Sequence, residues 1–574
     1  MEKLDVVSPA GLEAVKVIGA APRIDDLNGK TVGEIWNGVF KGDLTFPIIR
    51  RLLKAKFPGV KVIPYTEFYH LPGSDVPSHQ RELARQIVAA ARDKGCDAVI
   101  SGNGSRGNCA PAAARPAAEA EKAGLPSVVI TSTGFSRLAR LTGKAWGVAD
   151  LRIAEYPGPL GIHDSGQIAH NVESSLIDGI VNGLTRDEES GGAATAARSR
   201  NQRDIVCSGT AEDVNGFFAS KEWSDGLPIV PPTIARVEAF LKFTSRSPEE
   251  AIATLPSANL RATPWNIAAN AVMAGCRPEH MPLILAAVEA LGDERCCLGS
   301  LGSTSGIFPY ILVNGPIVKQ LGIEYGAQLV SRGPNPAIGR AIGLIVRNIA
   351  GFRPGASYMG TFGYPLAFTL AESEDETPWE PFHVQQGFDR NASTVTIGVT
   401  NNWGASPAAY DTPEQNGAET ALQLLAREIT HKTRLFNFPG GGPDAETVMI
   451  TLLISPSVAK SLAAAGYSKQ DVITQVYEKT RMPLREFDWV LKNTAIMRTT
   501  ARERAQAGVF PQEFMGAPDD IVRVLSSPDV LHVMVCGDPH RNRVMVLEGG
   551  HTRPTTKPVT LPSNWDELLR QSAK

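Results

Sequence analysis

Short apolar runs alternate with amphipathic segments along the first third of the chain. Apolar residues recur at helical spacing over 46–54 and 79–91, whereas the apolar run at 60–64 has the length of a strand. A further short strand is expected at 15–19. Strands that alternate with helices in this way predict βαβ units and a parallel sheet.

The clearest strand–loop–helix–strand pattern comes next. An apolar strand at 98–100 leads into a polar, glycine-spaced loop at 101–109. The helix is expected to start at Pro111, because the missing proline N–H would have no partner in a first turn. It ends before Gly124, and a second buried strand follows at 127–130. The loop therefore lies at the C-terminal end of a parallel strand, where α/β sheets place their ligands.

A polar stretch separates this part of the chain from a longer second region. Helices are expected at 137–141 and 168–183, with a turn-rich segment at 156–163 between them. Residues 185–204 are polar and rich in small residues, and they lack periodicity. Such a composition is typical of an interdomain linker.

Two stretches of the second region share one plan of strand, loop and helix. A strand at 310–313 and a helix at 336–349 correspond to a strand at 448–454 and a helix at 471–479. The offset between matched elements is about 140 residues, which is consistent with an internal duplication. The alternative is a single region whose helices and strands follow one another without symmetry.

The predicted fold class is α/β throughout. A doubly wound parallel-sheet domain spans 1–185, and a linker spans 186–205. The larger α/β (α+β) region spans 206–574, with halves at 206–415 and 416–574 if the pseudo-repeat is real.

Composition excludes several functional classes. The 574 residues contain 57 Lys+Arg and 60 Asp+Glu, for a net charge of −3, so no basic excess indicates nucleic-acid binding. No apolar run approaches the ~18 residues that span a bilayer, and the N-terminus lacks the pattern of a signal peptide. We expect a cytoplasmic enzyme with a small-molecule substrate, no nucleic-acid or membrane partner, and a homodimeric state.

The seven cysteines are too few for a disulfide scaffold, and no CxxC occurs. Cys276 and His280 invite a metal hypothesis, but no second ligand pair has zinc spacing, so no metal site is predicted. The cysteines are expected to be reduced.

Cys109 is the main catalytic candidate. It closes the polar loop near a helix N-terminus, where the helix dipole lowers the pKa of a thiol. A thiolate there could act as a nucleophile, with loop N–H groups stabilising a developing anion. The alternative is a small buried residue that packs the start of the helix.

Polar neighbours in the same loop extend this candidate site. Arg106 would lower the pKa of the Cys109 thiol or bind a substrate carboxylate in a bidentate manner, or else be a surface arginine. Ser105 and Asn108 flank it, and Asn103 with Ser105 could donate hydrogen bonds to an oxyanion. An exposed turn is the alternative for these residues.

The ends of the following strands add three more candidates. Thr131 and Ser132 end the next strand, and a parallel sheet places them beside Cys109 as substrate-binding residues. His163 is a possible proton-transfer partner for Cys109, although a single histidine often has only a structural role.

The second region contributes a candidate anion site. Cys297 opens the glycine-rich loop 299–306, whose backbone can approach a phosphate or carboxylate, although the loop lacks the P-loop lysine. Arg332, Asn335 and Arg340 surround a Gly-Pro loop that opens a helix, which is a natural place for an anion. Plain loop and helix surfaces are the alternatives.

A tetrapeptide and a short segment that follows it in the sequence resemble those of a known family. Arg106-Gly107-Asn108-Cys109, followed by a helix and the run Glu-Lys-Ala-Gly-Leu-Pro-Ser-Val at 121–128, resembles the UGSC family of (seleno)proteins. More distantly it resembles the selenoprotein B components of glycine and proline reductases, whose loop carries selenocysteine-glycine-Ser/Thr-cysteine. Here Arg106 occupies the selenocysteine position and the cysteine is kept. Because arginine cannot be the attacking group, selenol-type reductive cleavage is not expected.

The resemblance covers about 12–185 and implies chemistry at a C–N or C–S bond. The second region resembles a widespread uncharacterised bacterial family often joined or adjacent to UGSC-like domains. We therefore expect a cysteine-dependent lyase or oxidoreductase that acts on a small, carboxylate-bearing molecule. The sequence names no cofactor, and an external thiol reductant is the one co-reactant considered.

Two alternatives remain open at this point. In one, the chemistry lies in the cleft of the region 206–574 and the N-terminal domain is accessory. In the other, the protein is a non-catalytic thiol carrier or redox partner that holds an intermediate on Cys109.

Overall fold

A parallel sheet forms the centre of the N-terminal domain. The computed structural model describes residues 3–71, 76–186, 201–363, 367–432, 448–494, 499–551 and 553–572. The strands up to residue 156 are β1 (Leu4–Val7), β2 (Leu12–Glu13), β3 (Thr31–Trp36), β4 (Lys61–Ile63), β5 (Ala98–Gly104), β6 (Ser127–Ser132) and β7 (Ile153–Tyr156).

The sheet has the order β4-β3-β5-β6-β7, and its described neighbouring strands all run parallel. Strand β3 precedes β4 in the chain but lies next to β5, so the strand order reverses between β3 and β5. This is a doubly wound sheet, and it confirms the predicted fold class. The helices of this domain are α1 (Gly42–Lys56), α2 (Pro77–Asp93), α3 (Cys109–Lys122), α4 (Ser136–Ala145), α5 (Ser165–Asn171) and α6 (Ile177–Thr185). A π-helical turn joins α5 to α6.

Several element bounds differ from the prediction. The expected strand at 15–19 is wrong, because only Ile18 pairs, through an isolated bridge to Val148. The loop expected at 101–109 is shorter, since β5 continues to Gly104 and α3 already begins at Cys109. Three loop residues and Asn108, the residue before the helix, remain between the two elements.

The chain start belongs with the second region. Strand β1 pairs antiparallel with β8 (Ile205–Gly209), and β2 pairs with β10 (Leu260–Ala262), which in turn pairs with β9 (Ala253–Leu255). Strands β1 and β2 therefore pair with strands of the larger region, although the predicted N-terminal domain included them. The linker predicted at 186–205 lies mostly outside the described residues.

Two sheets of matching topology form the second region. In the first, β11 (Phe308–Asn314) pairs parallel with β12 (Phe368–Ala371) and antiparallel with β13 (Thr394–Thr400). In the second, β14 (Val448–Ile454) has the same two kinds of neighbour. Both sheets therefore have a central strand with one parallel and one antiparallel neighbour, and the duplication stays a prediction. The remaining strands are β15 (Arg481–Pro483), β16 (Ile521–Arg523), β17 (Leu531–Val535), β18 (Val544–His551) and β19 (Thr555–Pro558).

The two sheets contact each other, and the last strand of the chain belongs to the first sheet. Tyr310 on β11 hydrogen-bonds Thr451 on β14 at 2.5 Å, in a buried position. Strand β19 returns to the first sheet and pairs with β13, so the end of the chain packs with the first half. The last strand thus pairs across the division predicted at residue 415, and the division itself stays a prediction.

Helices cover these sheets. They lie where apolar residues recur at helical spacing in the sequence. Pro264 opens one of them and a left-handed Gly275 ends it, as favoured at a helix C-terminus. The helices are α7 (Ala211–Ser220), α8 (Ile234–Leu241), α9 (Pro264–Ala274), α10 (Met281–Gly292), α11 (Ile317–Gln320), α12 (Asn335–Asn348), α13 (Phe382–Gln385), α14 (Gly417–Lys432), α15 (Pro456–Ala464), α16 (Lys469–Lys479), α17 (Leu484–Thr494), α18 (Ala501–Gln506) and α19 (Trp565–Ser572). Within the described ranges, no helix combines the length and apolar character needed to cross a membrane.

Candidate functional site

The strand order reverses between β3 and β5, and the carboxyl ends of strands at such a point are a common ligand position in doubly wound sheets. Two asparagines hold the loops that follow these strands. The Asn37 side-chain amide donates to the carbonyls of Asn103 and Cys109, at 3.0 and 3.3 Å. The Asn103 N–H donates back to Asn37 Oδ1 at 3.1 Å.

Asn103 is fully buried, and its side chain helps to hold these loops in place. Its Nδ2 donates to the Phe40 carbonyl and to Thr45 Oγ1, both at 2.9 Å. The side-chain donors that the sequence suggested for an oxyanion are therefore already occupied. Asn103 positions the loop and does not offer the predicted hydrogen bond to a substrate.

Cys109 is buried at the first position of α3. It packs in a cluster of apolar side chains that includes Phe40, Phe46 and Ile130. Burial raises the pKa of its thiol to about 12, although the Arg106 guanidinium acts in the opposite direction. The expected lowering of this pKa is therefore wrong, because desolvation of the thiolate outweighs the nearby positive charge.

Alkylation of Cys109 should be slow and should increase with pH. With a pKa of about 12, only about 0.01% of this thiol is ionised at pH 8, so its rate should rise about tenfold per pH unit up to pH 10. Half-buried Cys207 should react at least about 100-fold faster at pH 8. Mass spectrometry of iodoacetamide-treated protein measures both rates, and urea-unfolded protein, in which they should converge, is the control. A plateau for Cys109 below pH 10 would contradict this assignment.

The remaining loop candidates form contacts across the ends of β5 to β7. Ser105 hydrogen-bonds Ser132, and Thr131 bonds Ser136 at 2.9 Å. The Arg106 guanidinium lies 5.7 Å from the centre of the Phe40 ring. The structure thus brings Ser105 and Ser132 together at one sheet edge. The predicted role of Thr131 and Ser132 beside Cys109 stays a prediction.

His163 lies at the same edge but is held by other partners. Its Nδ1 is 2.8 Å from the Tyr156 hydroxyl and 3.3 Å from the Asn171 amide. Its carbonyl accepts a hydrogen bond from Lys41 Nζ at 2.5 Å. No hydrogen bond joins it to Cys109 in the described part of the chain, so its role in proton transfer stays a prediction.

The predicted anion site at the start of α12 is filled by the chain itself. Arg340 donates to both carboxylate oxygens of Asp225, each at 2.9 Å, and to the Pro228 carbonyl at 2.9 Å. Asn335 is buried and exchanges hydrogen bonds with the backbone of Glu324 at 3.0 and 2.9 Å. Arg332 lies 3.8 Å from the Glu324 carboxylate.

These contacts give Asn335 and Arg340 structural roles. A bidentate arginine–carboxylate pair leaves little of the guanidinium for a ligand. Both residues, and Arg332, also lie outside the two cavities described below, so they are not part of the candidate site.

The loop that begins at Cys297 meets the Cys109 loop. Cys297 has a left-handed backbone (φ 45°), and two 3-10 turns surround it. The backbone of Gly107 lies so close to Gly302 that a Cβ on Gly107 would overlap the Gly302 carbonyl oxygen. The two glycine-rich loops, far apart in sequence, therefore form one contact between the domains.

A cavity of about 350 Å³ opens beside this contact. Helices α2 and α3 form one wall, and loops of the second region form the other. Cys297 lines the cavity, whereas Cys109 does not. The lining includes Gln80, Arg81, Arg85, Gly107, Pro111, Arg115, Glu119, Lys122, Trp146, Ser257, Asn259, Cys297, Gly299, Ser300, Gly302 and Ser357.

A second cavity of about 300 Å³ continues the first, and both are lined by Val15, Asn259 and Ser357. Together they form an interdomain cleft that is strongly basic, although the whole chain carries −3. Two carboxylates line the cleft, Glu13 and Glu119. Its cationic side chains are Arg81, Arg85, Arg115, Lys122, Arg137, Lys144 and Arg353.

The wall formed by α2, α3 and the Gly107 loop lies within a stretch of sequence that is similar to a known family. Residues 5–186 match the UGSC family model. The N-terminal domain is therefore similar to the UGSC family, and the resemblance seen in the Arg106–Cys109 tetrapeptide is confirmed. No curated protein and no solved structure matches the chain.

Sequence reasoning missed the cations of the cleft. Arg81 and Arg85 are exposed one helical turn apart on α2, and Arg115 and Lys122 lie two turns apart on α3. Charges at such spacing are typical of a solvated helix face. Only the packing of the second region against this face turns it into a cleft wall, and no local pattern signals that packing.

The metal hypothesis at Cys276 and His280 receives no support from their contacts. The Cys276 thiol is 3.2 Å from the Ala337 carbonyl. Burial lowers the pKa of His280 to about 3. Across the described residues, no group of three or more His, Cys, Asp or Glu side chains is arranged to hold a metal ion.

Proposed function

We propose that the protein is an enzyme that acts on a small, carboxylate-bearing molecule in the cleft between the N-terminal domain and the second region. The observation that carries this proposal is a cysteine, Cys297, on the wall of a strongly basic cavity. The proposal joins the two sites suggested by the sequence, because the Cys109 loop supplies one wall and the Cys297 loop supplies the thiol.

The charge of the cleft favours an anionic substrate. Arg85, Arg115 and Lys122 line the same cavity as Cys297. Guanidinium groups bind carboxylates through paired, charge-assisted hydrogen bonds. In a partly enclosed cavity these interactions are stronger than in water. A carboxylate held there would place a neighbouring carbon within reach of the thiol.

Cys297 is the reacting group in this proposal. After loss of its proton, its sulfur would form an S–C bond to an electrophilic carbon while the leaving group departs with the bonding electron pair. The relation to selenoprotein-type reductases favours C–N or C–S bond chemistry, of the lyase or reductase class. Cys109 would keep a packing role at the start of α3.

Iodoacetate tests the site directly, because it is a small carboxylate with an electrophilic carbon. Cys297 should react faster with iodoacetate than with neutral iodoacetamide. The ratio of the iodoacetate rate to the iodoacetamide rate should be at least about tenfold larger at Cys297 than at Cys207. The preference should fall as salt is added. Peptide mass spectrometry at short reaction times measures both ratios, and equal ratios at the two cysteines would contradict the proposal.

A pair of arginine variants on α2 tests the source of the preference. Arg85→Gln removes a cation from the cleft and should lower the iodoacetate preference of Cys297 several-fold. Arg92→Gln removes an exposed cation of the same helix that does not line the cleft, and should leave the preference unchanged.

A second candidate keeps Cys109 as the reacting thiol, favoured by its place where the strand order reverses. A thermal-shift screen of small carboxylic acids would identify a ligand whose turnover can be followed. Cys297→Ser should abolish that turnover and Cys109→Ala should retain it, and the opposite result would support the second candidate. A stable adduct that never turns over would instead indicate a thiol carrier.

A further inference from the structure

The second cavity of the cleft carries cations from both domains. It has a volume of about 300 Å³, and Arg137, Lys144 and Arg353 line it. Arg137 and Lys144 lie on α4 of the N-terminal domain, whereas Arg353 follows α12 in the second region. The packing of the two domains therefore places like charges around one small space.

These cations are not neutralised by the protein itself. Among the described residues, the side chains of Arg137, Lys144 and Arg353 form neither an ion pair nor a hydrogen bond. Glu13 also lines the cavity, and it pairs with none of the three. Nε of Arg353 is buried without a hydrogen-bond partner in the described part of the chain. Buried donors are rarely left in this state unless a ligand or water completes them.

The surroundings of Arg353 disfavour its positive charge. Burial lowers the pKa of Arg353, the Glu222 carboxylate acts in the opposite direction, and the Arg347 and Arg137 guanidinium groups lower this pKa further. Desolvation and repulsion between like charges both make a lone cation costly. A bound anion would offset both effects, because it brings a negative charge and hydrogen-bond acceptors to the guanidinium.

Neutral polar groups of this cavity already bond within the protein. Asn259 Nδ2 donates to the Ala145 carbonyl at 2.8 Å, and the Ser357 hydroxyl donates to the Gly351 carbonyl. The strongest free donors in the cavity are therefore its three cations. Such a donor set selects an anionic group over a neutral polar one.

We propose that this cavity binds a second oxyanion group of the molecule in the cleft, so that this molecule carries an anionic group at each end. One carboxylate lies in the cavity that contains Cys297, and the second oxyanion lies between Arg137 and Arg353 in the adjoining cavity. The inference rests on the cleft as the ligand site proposed above. Guanidinium groups bind carboxylates and phosphates alike, so the second group is a carboxylate or a phosphate.

Calorimetric titration of the full chain tests this inference with pairs of acids that differ at one end. Succinate is compared with butyrate, glutarate with pentanoate, and adipate with hexanoate, because each pair has one chain length but only the first member has a second carboxylate. At least one dicarboxylate should bind about tenfold or more tightly than its partner. The acid 4-phosphonobutyrate, set against glutarate, shows whether a phosphate-like group or a carboxylate is preferred.

Three arginine variants locate the second group. Arg353→Gln and Arg137→Gln should each reduce the advantage of the dianion at least about fivefold. Neither arginine has a partner among the described residues, so both variants are expected to fold. Arg140→Gln is the matched control, because Arg140 is an exposed arginine of the same helix as Arg137 and lines neither cavity of the cleft. It should keep the wild-type advantage.

The titration measures binding and involves no reaction at Cys297, so its outcome is separate from that of the iodoacetate experiment. The inference is overturned if no dianion binds more tightly than its monocarboxylate, or if Arg353→Gln and Arg137→Gln bind dianions as tightly as Arg140→Gln does. An iodoacetate preference at Cys297 without any dianion advantage would overturn this inference alone. A dianion advantage without that preference would support the second anion site and contradict only the role of Cys297.

Discussion

Replacement of Gly107 by alanine is expected to open the interdomain cleft and to remove the preference of Cys297 for iodoacetate. A Cβ at this position would overlap the Gly302 carbonyl oxygen and approach the Ser303 Cα at 3.2 Å. Both obstacles are backbone atoms, so no side-chain rotation relieves the overlap. The two loops must separate, and with them the walls of the cleft.

The effect should be large because the preference of Cys297 depends on how closely the cleft holds the reagent beside the thiol. A displacement of about 1 Å in a positioned site can reduce a rate by about 100-fold. In Gly107→Ala, the ratio of iodoacetate to iodoacetamide reactivity at Cys297 should fall to the ratio at Cys207. Peptide mass spectrometry measures the ratio.

Gly216→Ala provides the matched control. Gly216 lies in α7, and a Cβ there would meet no atom within 4 Å. Alanine also has the higher helix propensity, by about 1 kcal/mol. This variant should keep the wild-type ratio at Cys297. An unchanged ratio in Gly107→Ala as well would show that the two loops do not hold the cleft closed.

The elements that local pattern predicted well are those with regular apolar spacing. Helix α2 and strand β14 were found within two residues because periodicity alone defines them. Strand β3 was missed because Glu34 interrupts its apolar run. That glutamate is fully buried and pairs with Arg50 at 2.5 Å, a partner that only the folded chain supplies.

The candidate site was harder to predict, for two physical reasons. The helix-dipole argument for Cys109 considered a local charge effect, whereas burial by distant apolar residues decides the pKa of that thiol. Cys297 gains its basic surroundings from α2 and α3, which lie about 200 residues earlier in the chain. Both effects depend on tertiary packing and leave no mark on local spacing.

Replacement of Glu121 by alanine is expected to destabilise the N-terminal domain by about 3–5 kcal/mol. The Glu121 carboxylate is fully buried and lies 2.5 Å from the guanidinium of Arg23, which is also buried. Without Glu121, that guanidinium would remain charged in a medium of low dielectric constant. Breaking one side of a buried ion pair is among the most destabilising single changes in proteins.

Glu121 also joins three segments of the domain. It accepts hydrogen bonds from the backbone N–H groups of Ala21 and Ser127, both at 2.7 Å, and from the Ser127 hydroxyl at 2.8 Å. It therefore ties the end of α3 to the start of β6 and to the N-terminal segment. This gives a structural reason for the glutamate that opens the run at 121–128.

Hydrogen exchange of the α3 amides during urea titration measures this loss within the full chain. Glu82→Ala is the control, because Glu82 is exposed on α2 and contacts Gln86 at 2.9 Å. It should change the stability by no more than about 0.5 kcal/mol. Coincident unfolding of Glu121→Ala and the wild type would refute the role assigned to the buried pair.

Glu121→Gln separates the effect of shape from the effect of hydrogen bonding. Glutamine has nearly the same size, but its amide nitrogen cannot accept a hydrogen bond. Both carboxylate oxygens of Glu121 act only as acceptors, one toward Ser127 and the other toward Ala21 and Arg23. One set of donors must therefore face an NH₂ group, and the Arg23 charge loses its counter-ion. We expect Gln to lose nearly as much stability as Ala, and a near-normal Gln variant would show that packing, not hydrogen bonding and charge, holds this junction.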